Sequence, residues 1–265
     1  MMVVLSLFIG LGVGVMVGAL GAGGGILSVP ILVYLLNQDP HAATAESLVI
    51  VGLTALASMS SPRRWADIHF RDGSVFALIS IVGAVAGSRV SPFVPAQWLM
   101  GSFCVLLAVV GVVMARVGWS ARRQQHSPHA GCLPQPEAST RPTQRSWVRI
   151  CTAATATGFL TGFFGVGGGF IVVPILTLVL GMAMRTASAT SLVVMAITAA
   201  SGLLARVGTG VDVDWLVTLT FAAASMCGGM FGGPLTRKAR GYQLTLAFAV
   251  LLLGVATATA VETFG

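Results

Sequence analysis

Charge is what this sequence has least of. Only 9% of its 265 residues are Asp, Glu, Lys or Arg, where a soluble globular domain carries about 25%. So few charges cannot cover the surface of a water-soluble fold of this length, which excludes an ordinary soluble domain. Acids are scarcer still, 8 against 15 bases. That excess of base does not point to nucleic acid, because the basic residues sit in short loops between apolar runs and form no continuous patch. Cysteine is sparse as well. Cys104, Cys132, Cys151 and Cys227 lie far apart without CxxC or metal-ligand spacing, so they set no disulfide framework. There is also no HExxH, no GxSxG, no P-loop and no pair of intramembrane aspartates. Neither a catalytic residue nor a cofactor is therefore expected.

Apolar residues and glycine fill the space. The hydrophobic share is 55%, with 33 glycines, and the mean hydropathy is +0.90. This composition selects an all-α polytopic membrane protein whose first partner is the lipid bilayer. Met1-Met2-Val3-Val4 lacks a basic region and no small-residue cleavage pattern follows, so the first apolar run is expected to be retained. Ten apolar runs can be drawn, five on each side of a polar stretch holding Pro128, Pro134, Pro136 and Pro142. The expected organisation is a first transmembrane unit over 1–117, a flexible cytoplasmic linker over 118–147 and a second unit over 148–265.

The two units are copies. At an offset of 144, residues 18–50 share 15 identities with 162–194 over 33 gap-free positions. An apolar chain gives chance matches of Leu, Val and Ala. It does not by chance give a matched GxGGG followed by Pro at the same distance, so an internal duplication is expected. The basic residues then choose between two topologies. With the linker cytoplasmic, an inverted second copy puts 13 basic residues inside and two, Arg89 and Arg206, outside; a parallel copy gives 10 and five. The expected fold is two inverted repeats of about five helical segments, with both termini outside. The second segment of each half, about 12 residues or ~18 Å, is too short for the ~30 Å core and should be short or re-entrant.

Several residues could carry chemistry. A Gly-rich turn at a helix start leaves N–H groups and the positive end of the helix dipole facing one point, which suits an anion. Gly21, Gly23, Gly24 and Gly25, with the copies Gly165, Gly167, Gly168 and Gly169, are therefore candidate substrate-binding residues. Against this, glycines also simply let helices approach closely. Thr44, Ser47, Thr54 and Ser58 share a helix face, as do Ser188, Ser191 and Thr198. Ser47, Thr54, Ser191 and Thr198 are the candidates for lining a polar path, although such hydroxyls commonly bond back to their own helix. Glu46, the only acid inside a predicted span, is a candidate for proton coupling. It lies off the hydroxyl stripe, near the end of its span, and its copy is Thr190. Arg89 is expected to snorkel to head groups. His126, His129 and Cys132 lack a fourth ligand, so no metal is expected.

Gly21-Ala22-Gly23-Gly24-Gly25-Ile26-Leu27-Ser28-Val29-Pro30 and Ala43-Thr44-Ala45-Glu46-Ser47-Leu48, with their second copies from Gly165 to Pro174 and from Ala187 to Leu192, resemble the TauE/SafE sulfite exporter family, also called the 4-toluene sulfonate uptake permeases. The likeness runs over both halves. It implies a multi-pass carrier of the bacterial inner membrane with about eight spans, moving small sulfur-containing anions such as sulfite or organosulfonates. Glu46 departs from the small or hydroxyl residue expected at its position. The leading expectation is a secondary transporter with alternating access. An anion channel and a non-transporting assembly or sensing subunit are the alternatives, and the oligomeric state is left open.

Overall fold

The computed structural model describes residues 2–20, 25–36, 38–60, 67–125, 144–206, 214–235 and 241–264. Among these the chain is helical throughout, in ten α-helices: α1 (Met2–Leu20), α2 (Gly25–Pro30), α3 (Pro40–Met59), α4 (Phe70–Val90), α5 (Ala96–Gln125), α6 (Gln144–Phe164), α7 (Gly169–Leu178), α8 (Met184–Arg206), α9 (Trp215–Leu235) and α10 (Gly241–Phe264). The apolar runs of the sequence map onto these helices one for one. Helix enters the polar stretch from both sides, since α5 continues to Gln125 and α6 starts at Gln144; residues 126–143 lie outside the described set.

Local chemistry sets several ends. Asp39 accepts from the amides of His41 (2.9 Å) and Ala42 (3.4 Å), with Pro40 as the first residue of α3. A carboxylate at the N-cap and a proline that needs no N–H partner are the preferred start of a helix. Asp214 does the same for α9, accepting from Leu216 (3.0 Å) and Val217 (3.2 Å). The second segment of each half is short, as expected. In the first half α2 stops at Pro30 and a π-helical turn, Ile31–Leu35, follows, whereas the equivalent Pro174 is carried inside α7. In the second half α7 has 10 residues, about 15 Å or half the hydrocarbon thickness.

Five helical stretches are long and apolar enough to cross a membrane: Pro40–Met59, Phe70–Phe93, Gln97–Ala121, Met184–Arg206 and Gly241–Glu262. Their outer faces carry Leu78, Val82, Trp98, Val105, Leu204 and Val250, all exposed, as suits lipid contact. Inside, α3 and α8 are the most enclosed of the five.

The packing is reciprocal between the halves. Helix α1 packs on α9, and its copy α6 packs on α4; α3 meets α9 while α8 meets α4; α3 packs on α8, and α5 on α10. Each half thus lends its helices to the other. The correspondence reaches single atoms. Ser80 on α4 donates to the Ala154 carbonyl of α6 at 2.9 Å, and Ser225 on α9 donates to the Gly10 carbonyl of α1 at 2.9 Å. Close approach at these crossings requires glycine. A Cβ on Gly158 would collide with the Ser80 carbonyl, and one on Gly14, its copy, with the Ser225 carbonyl.

Candidate functional site

The second Gly-rich turn is laid directly on α3 of the first half. Gly165, Gly167 and Gly168 have φ values of 65°, 67° and 69°, the left-handed region that glycine alone enters freely. Gly169 begins α7 with ordinary helical geometry. The space is as restrictive as the torsions. A Cβ on Gly165 would strike the main chain of Thr44, one on Gly167 the side chain of Val51, and one on Gly168 the hydroxyl of Thr161. The Ser47 hydroxyl donates to the Gly165 carbonyl and so fixes the turn to α3. Residues 164–174 are all buried. The Gly168 carbonyl accepts from Ile171 (3.0 Å) and Val172 (2.8 Å), closing the first turn of α7. Among the described residues the amides of Val166, Gly167 and Gly168 find no main-chain acceptor. A buried helix start of this kind presents donors and the positive dipole end to any acceptor that reaches it.

Of the first copy, Gly21, Gly23 and Gly24 lie outside the described residues, and Gly25 is the first residue of α2.

The hydroxyl stripe is buried apart from the half-buried Ser188, and most of its donors turn back onto their own helix. Thr54 donates to Ile50 (2.6 Å), and its copy Thr198 donates to Val194 (2.8 Å); Ser191 donates to Ser188 (2.9 Å) and Ser188 to Arg185 (2.8 Å). Away from the Arg206 end, the contact between α3 and α8 is apolar, made by Val51, Ala55, Leu192 and Met195. In apolar surroundings a Ser or Thr hydroxyl meets its nearest acceptor on the preceding turn, so a stripe of hydroxyls does not by itself make an open polar path. Ser47 is the exception that reaches across, because the Gly165 carbonyl lies within its range.

Glu46 is fully buried and does not reach out to solvent. Its Oε1 accepts from the Asp214 amide, just before α9, at 3.0 Å; Oε2 has no hydrogen-bond partner among the described residues. The copy behaves in the same way with different chemistry. Thr190 Oγ1 accepts from the His69 amide, just before α4, at 3.1 Å.

The sequence marks Arg206 only as a base on the outer side, and the structure buries it at the end of α8. Its Nη1 donates to the Thr44 hydroxyl (2.7 Å) and the His41 carbonyl (3.4 Å); Nη2 donates to the Gly162 carbonyl (3.1 Å) and the Ser91 hydroxyl (3.3 Å). These partners come from α3, from the end of α6 and from the short 3-10 turn Ser91–Phe93 after α4. The guanidinium therefore sits beside the Gly165 turn, which follows Gly162 and packs on Thr44. The available signal was that Arg206 is one of two bases off the basic side. Arg89, the other, is exposed on the last turn of α4, as a snorkelling residue would be. His126, His129 and Cys132 lie outside the described residues, and among the rest no three His, Cys, Asp or Glu side chains gather for a metal.

Comparison with known proteins gives the same class. The chain is 30% identical over 249 residues to a "Probable membrane transporter protein" of Xylella fastidiosa, covering 92% of this chain and 89% of that one. It is 27% identical to the "Probable membrane transporter protein YunE" of Bacillus subtilis, with 94% of each chain covered. It is 26% identical to the "Probable membrane transporter protein MJ0441" of Methanocaldococcus jannaschii, covering 76% and 70%. No solved structure matches. Residues 6–259 match the family described as Sulfite exporter TauE/SafE, and the chain belongs to that family of multi-pass membrane transporters.

Proposed function

We propose that the chain is a secondary transporter of a small sulfur-containing anion, sulfite or an organosulfonate, working by alternating access between inverted halves in a bacterial inner membrane. The observation that carries this is the buried Gly165–Gly169 turn at the start of α7. Amides and a helix dipole hold an oxyanion without placing a fixed charge in the apolar interior. Arg206 is the nearby cation that would draw the anion toward the turn. The antiparallel meeting of α3 with its copy α8, in which Arg206 at the end of α8 bonds His41 and Thr44 at the start of α3, supports inverted repeats, since a twofold axis in the membrane plane reverses one copy against the other. With the linker cytoplasmic, Arg206, Ser91 and Asp214 belong to the outer end. Glu46 would couple transport to protons.

The test is flux. Liposomes containing the purified chain should take up labelled sulfite or an aryl sulfonate saturably and show counter-transport, which an anion channel would not. Gly168→Ala should abolish that flux while the protein still extracts as a folded species. Undiminished flux in Gly168→Ala would remove the turn from the site.

A further inference from the structure

Two junctions occupy equivalent places in the two halves. Position 46 on α3 and position 190 on α8 are copies, and each side chain accepts a hydrogen bond from the main-chain amide that precedes a helix of the other half. At Thr190 the acceptor is a hydroxyl, which does not titrate in any physiological range. At Glu46 it is a carboxylate that uses one oxygen and leaves the other, buried Oε2, without a partner among the described residues. A proton can be taken up at Oε2 without breaking any bond the residue makes.

We propose that Glu46 is the proton-binding residue of the transport cycle and acts as a latch that loosens the start of α9 when protonated, a latch that Thr190, its copy at the start of α4, does not provide. This rests on the proton-coupled reading above. The step is a plain proton transfer from hydronium to Oε2: one O–H bond of hydronium breaks and leaves water, an O–H bond forms at Oε2, and the side chain becomes neutral. Oε1 then remains near the Asp214 amide, but the bond loses its charge assistance. The negative charge facing the positive end of α9 goes with it.

The charged and titratable neighbours do not reverse this. Asp214 on α9 is the nearest, and its carboxylate already accepts from Leu216 and Val217. It is exposed, so its repulsion toward Glu46 is screened by water, while the Oε1 bond is buried. On α3 itself Asp39 caps the helix start and His41 lies one turn earlier. Arg206 from α8 is engaged with Thr44, Ser91 and Gly162, Arg185 lies near the opposite end of α8, and Tyr34 is the titratable group on the π-helical turn. Helix α1 brings no charge. Loss of the charge from Glu46 therefore weakens the junction.

The experiment is hydrogen exchange on the full chain in lipid nanodiscs, between about pH 5 and pH 8, with rates corrected for the intrinsic pH dependence of exchange. In the wild type, amides of the first turn of α9 (residues 214–218) should exchange roughly tenfold faster at the acid end, the change expected from losing a charge-assisted bond. The first turn of α4 (residues 69–73), which holds its own His69–Asp72 pair at 3.4 Å, should exchange alike in the parent and in both Glu46 variants at each pH. Glu46→Gln should hold α9 at the faster rate at every pH. Glu46→Thr, the residue the other half uses, should likewise remove the pH response, and it guards against a fold defect peculiar to the amide. An unchanged pH response of α9 in both variants, or none in the wild type, overturns the latch. Nanodisc protein that shows the response while liposomes show no anion flux would keep the latch and sink the anion reading.

Discussion

In the first half a buried carboxylate, Glu46, holds the amide before α9; in the second half a hydroxyl, Thr190, holds the amide before α4 at nearly the same distance, 3.0 against 3.1 Å. Geometry has been kept between the copies and chemistry has not. A hydroxyl acceptor contributes about 1 kcal/mol in any state of the protein, whereas a carboxylate contributes about 1.5–3 kcal/mol and only while ionised. The two halves are thus mechanically alike and electrically different. In the alternating-access reading proposed above, such a difference would let one side answer to protons and the other not. Arg206 adds to it, since it lies at the His41 and Thr44 end of α3, and the position equivalent to it in the first half is Pro62.

The largest effect should come from removing that asymmetric charge. Arg206→Ala leaves the Thr44 hydroxyl, the Gly162 carbonyl and the Ser91 hydroxyl without a shared donor in a buried place, and a loss of about 3 kcal/mol is expected. Thermal unfolding in detergent should register it as a lower midpoint. Arg206→Lys should recover only part of the loss, because one ammonium cannot span the acceptors that the guanidinium fork reaches. A lysine variant as stable as the parent would show that charge alone, and not the fork, ties α3, α6 and the Ser91 turn together.

Next come the turns. Gly168→Ala combines left-handed strain with a collision at Thr161 and should destabilise by about 2–3 kcal/mol. Gly181, at φ 67° with open space around it, is the internal control; its alanine variant should lose only about 1 kcal/mol. Gly24→Ala then measures the first half. A loss equal to that of Gly168→Ala means the first copy folds its turn in the same way, and a loss near that of Gly181→Ala means it does not.

How much of this was legible in the residues depends on range. The ten helices follow from apolar runs, and the turn at Gly165 follows from a duplicated GxGGG that only a special backbone explains; both are local signals. Arg206 was not legible as a buried hub, because its partners lie 44 to 165 residues away and no spacing announces them. Glu46 was visible as a lone acid in an apolar span. Its partner Asp214, 168 residues on, was not, and its distance from the hydroxyl stripe counted against it although the stripe faces elsewhere for its own reasons. Periodicity located the face that carries Thr44, Ser47, Thr54 and Ser58. It could not tell that the donors of Thr54 and Thr198 would be spent on carbonyls one turn back.

Moving the carboxylate should move the pH response. Thr190→Glu places an acid at the His69 junction, and hydrogen exchange at the first turn of α4 should become more acid-dependent than in the parent, where the His69–Asp72 pair already lies in that turn. The stability change at neutral pH should be about 1–2 kcal/mol downward, since a longer side chain must enter a packed site. Combined with Glu46→Thr, the same substitution should leave α9 insensitive and α4 more sensitive than in the parent. Sensitivity that stays at α9 in the double variant would place the titrating group somewhere other than position 46.

The smallest effect separates lining from packing. Thr54→Val and Thr198→Val each remove a hydroxyl that bonds only within its own helix in this conformation, so each should change stability by less than about 0.5 kcal/mol. The two positions are copies with copied partners, Ile50 and Val194, so the two values should agree. Transport then supplies the contrast that stability cannot. If the hydroxyls stay on their helices through the cycle, flux is untouched in both variants and the stripe is structural. If one variant loses flux at full stability, that hydroxyl leaves its carbonyl for the anion in another state of the cycle, and the half that carries it is the half on which the anion travels.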